Sequence, residues 1–202
     1  ESLALPASMI SLPCTKILSR LKNVEVSANN PAYKSLDGVV FSKDGAELLF
    51  YPPKREQEEY AIPEGTAVLG TDVFSKAVHL KTLALPLTLA ELDTDDAVPA
   101  LEAFSVDDNH PAFFVRDGVL FSRDGEILVR YPEAKPGDTY AVPAGVKEIG
   151  GNAFPRSAVY LKHVTLPGGL LLIGDFAFDM CETLQSVSIP DSAVYIGDGA
   201  FE

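Results

Sequence analysis

Short apolar runs recur along the chain, closing on Leu5, Val26, Ile62, Leu85, Val106, Val142, Leu166 and Ile189. Their successive spacings are 21, 36, 23, 21, 36, 24 and 23 residues, and six of the eight, all but Val26 and Val106, are followed at once by proline. Inside one such turn the pattern has a physical reading. Val164 and Leu166 share a face of an extended strand by the period of two, and Leu161 enters the same interior from the bend before it. Pro167, lacking an N–H and fixed in φ, ends the strand, and Gly168-Gly169 suits the turn that follows. Ile173, Ala177 and Phe178, spaced i, i+4, i+5, predict a short irregular or helical segment facing inward. A single turn cannot bury its apolar side, whereas stacked turns bury one continuous core and pair their strands as a parallel sheet.

The chain also matches itself at an offset of 80 residues. Pro31-Ala32-Tyr33 lies over Pro111-Ala112-Phe113, Asp37 to Gly45 over Asp117 to Gly125, and Tyr60 to Gly65 over Tyr140 to Gly145. This is a duplicated module, 5–85 and 86–166, followed by terminal turns in 167–202. The two 36-residue intervals read as an ordinary turn of about 23 with an insertion of about 13 at the same place in each copy. Val39-Val40-Phe41 and Leu48 to Tyr51 flank Lys43-Asp44-Gly45, as Val119-Leu120-Phe121 and Ile127-Leu128-Val129 flank Arg123-Asp124-Gly125. Asp-Gly between β-prone runs predicts two inserted β-hairpins, at about 38–51 and 118–131.

Leu161, Val164 and Leu166 follow the L-x-x-L-x-L spacing of leucine-rich repeats, and five of the seven intervals fall in the 20–29 range of that class. The expected fold is an α/β repeat solenoid. It is a right-handed leucine-rich-repeat coil of about eight turns, 1–202, with a parallel sheet on one face and short irregular or helical convex segments. A second signature recurs as Ile149-Gly150 with Ala153-Phe154, Ile173-Gly174 with Ala177-Phe178, and Ile196-Gly197 with Ala200-Phe201, joined by Cys181-x-x-Leu184. Together with the Pro-terminated strands and the Asp117 to Pro132 block, it resembles the BspA-like, or Treponema-type, leucine-rich repeats of bacterial surface proteins. The turns Ser11 to Val26 and Leu92 to Val106 depart from it, lacking Ile-Gly and Ala-Phe. The resemblance implies an extracellular or surface-attached protein with a part in adhesion or in recognition of host or extracellular-matrix proteins. The alternative it leaves is a structural spacer in a longer repeat array.

Charge narrows the partners. Sixteen Lys and Arg against 29 Asp and Glu leave a net charge of −13, which disfavours nucleic acid and anionic membrane surfaces. At 47% hydrophobic the chain has ample core-forming surface, and no apolar run approaches membrane-spanning length. No catalytic motif of the nucleophile-elbow, P-loop, dinucleotide or HExxH kind is present, so no enzyme, cofactor or metal site is expected. Asp93, Asp95 and Asp96 resemble a calcium loop only until Val98 stands where its glycine belongs. His79, His110 and His163 lack zinc-site spacing and read as surface residues. Cys14 and Cys181, about six turns apart, are too distant to pair, and Cys181 reads as a small buried hydrophobe.

What remains is the outward side of the strands. Its central row runs Ala4, Glu25, Ala61, Ala84, Ser105, Ala141, Thr165, Ser188, small in seven of eight positions. It reads either as residues suited to a crowded curved face or as a smooth track for a partner. Lys22, Asn23, Lys81, Thr82, Lys162 and His163 form one margin, and Phe50, Tyr51 and Tyr131 are the aromatic contact candidates near the inserted hairpins. The C-terminal turn, without a polar cap, is expected to offer an end that stacks on another molecule.

Overall fold

The computed structural model describes residues 1–12, 19–92, 97–155 and 158–202. Cys14 and the Asp93, Asp95 and Asp96 group lie outside the described residues. The chain begins with β1 (Ser2–Leu5) and β2 (Asn23–Val26), then enters a meander of β3 (Tyr33–Leu36), β4 (Val39–Ser42) and β5 (Glu47–Phe50). It continues through β6 (Glu59–Ala61), β7 (Val68–Leu69) and β8 (Thr82–Leu85). A second pass follows the same order: β9 (Ala103–Val106), β10 (Phe113–Arg116), β11 (Val119–Ser122), β12 (Ile127–Arg130), β13 (Thr139–Ala141), β14 (Glu148–Ile149) and β15 (His163–Thr165). The last turns carry β16 (Leu172–Ile173), β17 (Ser186–Ser188) and β18 (Tyr195–Ile196). The result is a β-solenoid of about eight turns, one for each of β1, β2, β6, β8, β9, β13, β15 and β17.

Those eight strands pair in parallel, but not as the single sheet expected from the pattern. They form three sheets, β1-β2, β6-β8-β9 and β13-β15-β17. The breaks have a local cause. At the free edge of β2 the Val24 amide donates to the Gly38 carbonyl at 3.0 Å, and at β9 the Phe104 amide donates to Gly118 at 2.9 Å. The tight turn of each meander therefore occupies the edge that the next strand would have used. Only glycine serves there: a Cβ on Gly38 would lie 1.8 Å from Asn23 Oδ1, and φ is +75°.

That tight turn is also where the meander exceeds the expected insertion. β3 and β4 pair antiparallel from Tyr33↔Ser42 to Leu36↔Val39, so Asp37-Gly38 is a two-residue turn with both φ positive, 45° and 75°. Asp117-Gly118 repeats it at 51° and 78°. β4 pairs β5 antiparallel across the longer Lys43–Ala46 connection, with a register shift between Val40 and Phe41.

β5 and β12 then open a second set of parallel ladders, β5-β7 and β12-β14-β16-β18. Leu128, Ile149, Ile173 and Ile196 stand in one row across the longer ladder. The segments expected as helical contain no helix among the described residues. Their amides bond to the neighbouring turn instead of to i−4: Asn152 to Asp175 O at 3.1 Å, Phe154 to Ala177 O at 2.9 Å, Phe176 to Asp198 O at 2.9 Å, Phe178 to Ala200 O at 2.9 Å. The glycine of Ile-Gly permits that closeness, since a Cβ on Gly174 would sit 2.7 Å from the Gly151 amide nitrogen.

The interior is three apolar clusters instead of one continuous core. The meanders are the walls between them. Val119 and Phe121 of β11 face the C-terminal cluster while Leu120 between them faces the middle one, and all three are 0% exposed. Val39 and Phe41 face the middle cluster and Val40 the N-terminal one in the same manner. Leu85 belongs to the middle cluster, Leu166 to the C-terminal one, and Ile189 is exposed on the last turn.

Candidate interaction surface

The outward row stands where the alternation places it. Ala61↔Ala84↔Ser105 and Ala141↔Thr165↔Ser188 are direct cross-strand neighbours. Ala4, Ala61, Ser105, Ala141, Thr165 and Ser188 are exposed, so nothing crowds them. Their inward neighbours Leu83, Phe104 and Val164 are buried.

The lysines of the margin are each paired with a carboxylate. Lys22 pairs with Glu56; Lys81 lies 3.0 Å from Glu58 and 4.0 Å from Glu102; Lys162 lies 3.7 Å from Asp138. The hydrogen bond and charge of Glu58 hold the Lys81 ammonium above its ordinary range. Such exposed pairs add little stability, but they leave the margin near neutrality. His163 Nδ1 shares a hydrogen bond of 2.8 Å with Ser186 Oγ, Asn23 donates to Glu25 at 3.4 Å, and Thr82 is half-buried at the start of β8.

The aromatic candidates are not on the surface at all. Phe50, Tyr51 and Tyr131 are 3%, 2% and 2% exposed. Tyr131 packs edge-on to Tyr140 at 5.0 Å and stacks on Phe154 at 5.2 Å, and Tyr51 meets Tyr60 and Phe74 at 5.1 and 5.2 Å. Phe50 closes β5 and faces the N-terminal cluster, and Tyr51 and Tyr131, which follow the meander where the chain turns back into the solenoid, are directed inward. Burial pushes the Tyr131 phenol up to about 12.

Polar residues inside the fold were missed in the sequence. His110 is 0% exposed, against the expectation of a surface histidine, whereas His79 and His163 are exposed. Its Nε2 faces the Pro86 carbonyl at 2.9 Å while Nδ1 accepts from the Ala112 and Phe113 amides at 3.2 and 3.1 Å. Two amides on Nδ1 put the hydrogen on Nε2. Asn30, its equivalent, does the same work: Nδ2 donates to Pro6 O and Met9 O, and Oδ1 accepts from the Ala32 and Tyr33 amides. The signal was available, because Asn30 and His110 both directly precede the duplicated Pro-Ala. A buried ion pair, Arg130–Glu133 at 2.7 Å, was also unforeseen. Cys181 is half-buried, its thiol 3.6 Å from the Phe154 carbonyl and pushed up by burial to about 11.

Two open regions remain. A groove of about 400 Å³ lies between Val106–Asp108 and Arg123–Gly125. At the C-terminal end Phe154, Phe178 and Phe201 form a ladder with centroids 4.5 and 5.1 Å apart and planes within 14° and 4° of parallel. On the last turns Ile189, Val194, Tyr195 and Ile196 are 42%, 82%, 51% and 49% exposed.

Parallel ladders on two sides of an apolar interior, with inward leucines at repeat spacing, define a leucine-rich-repeat solenoid. Residues 138–202 match the family described as "BspA type Leucine rich repeat region (6 copies)". Two solved structures share the fold. A leucine-rich repeat protein from Eubacterium ventriosum is 21% identical with a TM-score of 0.58, covering 100% of this chain and 58% of its own. A leucine rich cell surface protein from Faecalibacterium prausnitzii is 19% identical with a TM-score of 0.57, covering 93% of this chain and 47% of its own. The pneumococcal vaccine antigen PcpA is 24% identical with a TM-score of 0.45, covering 98% and 42%. This chain thus spans about half the length of these proteins. No curated protein matches it significantly.

Proposed function

We propose that this chain is a non-catalytic recognition module of a bacterial cell-surface protein, binding host or extracellular-matrix proteins through the outward face of its eight parallel strands. One observation carries the reading: six of the eight residues in the central row of that face, Ala4, Ala61, Ser105, Ala141, Thr165 and Ser188, are small and solvent-exposed. Alanine is a poor strand residue, and on an uncovered face no packing rewards it. A stability-driven face would carry Thr or Val. A face kept flat and accessible lets another backbone approach closely.

The test is capture of immobilised extracellular-matrix proteins by this chain at physiological salt, with Ala61→Arg, Ala84→Arg and Ala141→Arg combined as the blocking variant. Capture lost in the variant is the expected result. Capture absent throughout, or indifferent to the variant, overturns the reading. A second reading, a spacer within a repeat array, is favoured by the duplication of the whole module at an offset of 80 residues.

A further inference from the structure

The two meanders differ at one groove. In the first module Lys34 lies across Gly45 and donates to the Asp44 carbonyl at 2.9 Å, while Lys43 donates to the Ala28 carbonyl at 3.0 Å. Two ammonium groups occupy the space between the loop after β2 and the turn after β4. At the same place 80 residues on, Phe114 replaces Lys34, Arg123 replaces Lys43 and Asp108 replaces Ala28. The Phe114 ring crosses Gly125 and stacks on Phe121 at 5.2 Å. Arg123 and the Asp108 carboxylate make no hydrogen bond or salt bridge to the described residues. The second module is therefore left with the open groove of about 400 Å³, walled by Val106, Phe114 and Val115 and rimmed by Asp107, Asp108 and Asp124 with Arg123.

We propose that this groove receives the side chain of a lysine presented by an extended segment of a protein partner, taking the place of the lysines that fill its counterpart in the first module. The inference rests on the recognition reading and names where and what the module contacts. Three carboxylates against one guanidinium favour a cation, and the net charge of −13 attracts basic segments from a distance. The Ser122 hydroxyl and the Glu126 amide lower the Asp124 pKa, so its charge persists. Lysine suits the lining because its apolar stem lies against Phe114 while its ammonium reaches the carboxylates and the Asp124 carbonyl. The Arg123 fork is then free to donate to a carbonyl of the same segment.

The probe is an acetylated, amidated pentapeptide with lysine at its centre, leucine on either side and glycine at both ends. It is titrated into the labelled chain and followed by amide NMR, beside the same peptide with norleucine for lysine. Expected are saturable shifts at Asp108, Phe114 and Gly125, at least about tenfold weaker for norleucine, the effect of roughly one lost charge-assisted contact. Asp108→Ala weakens binding by a similar factor. Phe114→Lys abolishes it by giving the groove an internal lysine, and keeps the fold because Lys34 already occupies the equivalent position. Equal binding of the two peptides, shifts elsewhere, or binding retained by Phe114→Lys overturns the proposal. Capture of matrix proteins unchanged by Phe114→Lys overturns the groove as their contact and leaves the recognition reading standing. Lysine-peptide binding without any matrix capture supports the groove and overturns the host-protein reading instead.

Discussion

The meander of 33–50 and its copy at 113–130 agree in backbone and disagree in polar chemistry. The amides of Val24 and Phe104 donate to Gly38 and Gly118 at 3.0 and 2.9 Å, those of Lys43 and Arg123 to Ala32 and Ala112 at 2.8 Å, and those of Lys54 and Ala134 to Leu21 and Leu101 at 2.8 and 2.7 Å. Side chains reach the same ends by different routes. Arg55, buried under Tyr51, donates to the Asp37 carbonyl and carboxylate, while in the second copy Lys135 reaches the Asp117 carbonyl at 2.5 Å. Both satisfy the carbonyl of a residue held at positive φ. Where the first copy has Phe50 and Pro53, the second has the buried Arg130–Glu133 pair. The backbone bonds define the module, and each interior polar group is a separate, replaceable solution to a local need.

If that is right, grafting one copy's solution into the other is tolerated only when it is grafted whole. Glu133 Oε1 accepts from Arg130 at 2.7 Å and from the Val98 amide at 3.0 Å, while Arg130 also donates to Asn152 O at 2.8 Å. Arg130→Phe alone strands a buried carboxylate and is expected to cost about 3–5 kcal/mol. Arg130→Phe with Glu133→Pro, the first copy's arrangement, recovers the larger part and leaves mainly the Val98 amide unpaired, a cost of about 1–3 kcal/mol. Urea unfolding of the wild type, both single variants and the double closes the cycle. A coupling near zero would mean that the pair is not a unit.

The Asn30 and His110 clips offer a finer test. His110→Ala leaves one carbonyl and two amides without partners and is expected to destabilise by about 2 kcal/mol. His110→Asn should stay within about 1 kcal/mol of the wild type, because asparagine already bridges the corresponding loops in the first copy. Thermal unfolding of the two variants decides it. Equal losses would show that the histidine ring is held for its bulk and its contact with Phe113 at 5.1 Å, not for its hydrogen bonds.

How far these features could be read beforehand depended on whether they carry a period. The eight strands of the first face were legible because inward Leu83 and Leu85 alternate with outward Ala84, and each strand recurs at repeat spacing. β3 and β10 were not, because Asp37-Gly38 read as the start of an insertion while the second Asp-Gly drew attention as its turn. The helical expectation failed for a related reason: Ile173, Ala177 and Phe178 face inward at spacings a helix also satisfies, and only the neighbouring turn shows where the Phe176 and Phe178 amides bond. Of the candidate surface, the row of small residues was readable from alternation alone. The inward direction of Tyr51 and Tyr131, the pairing of Lys22, Lys81 and Lys162, and the depth of His110 depend on residues distant in the chain, which periodicity does not encode.

The smallest expected effect concerns a feature the copies share. After β4 and β11 the turns are tied alike: Asp44 Oδ1 accepts from Ser42 Oγ at 2.6 Å and from the Ala46 amide at 3.0 Å, and Asp124 Oδ1 accepts from Ser122 Oγ at 2.7 Å and from the Glu126 amide at 3.0 Å. The serine hydroxyl, then the backbone amide, holds each carboxyl below its ordinary 3.8. A carboxyl depressed in the folded state contributes stability above its unfolded value and loses it as pH falls through the lower folded value. Both turns should therefore loosen only below about pH 3.8, seen as faster amide exchange at Ala46 and Glu126 while the buried Phe41 and Phe121 amides stay protected. The copies are expected to separate slightly, because the nearby Lys147 charge adds to the lowering at Asp124 and has no counterpart among the causes at Asp44. Raising the salt concentration screens that charge and should bring the two onset values together. Onsets that coincide at low salt would show that the hydroxyl and amide bonds alone set both turns.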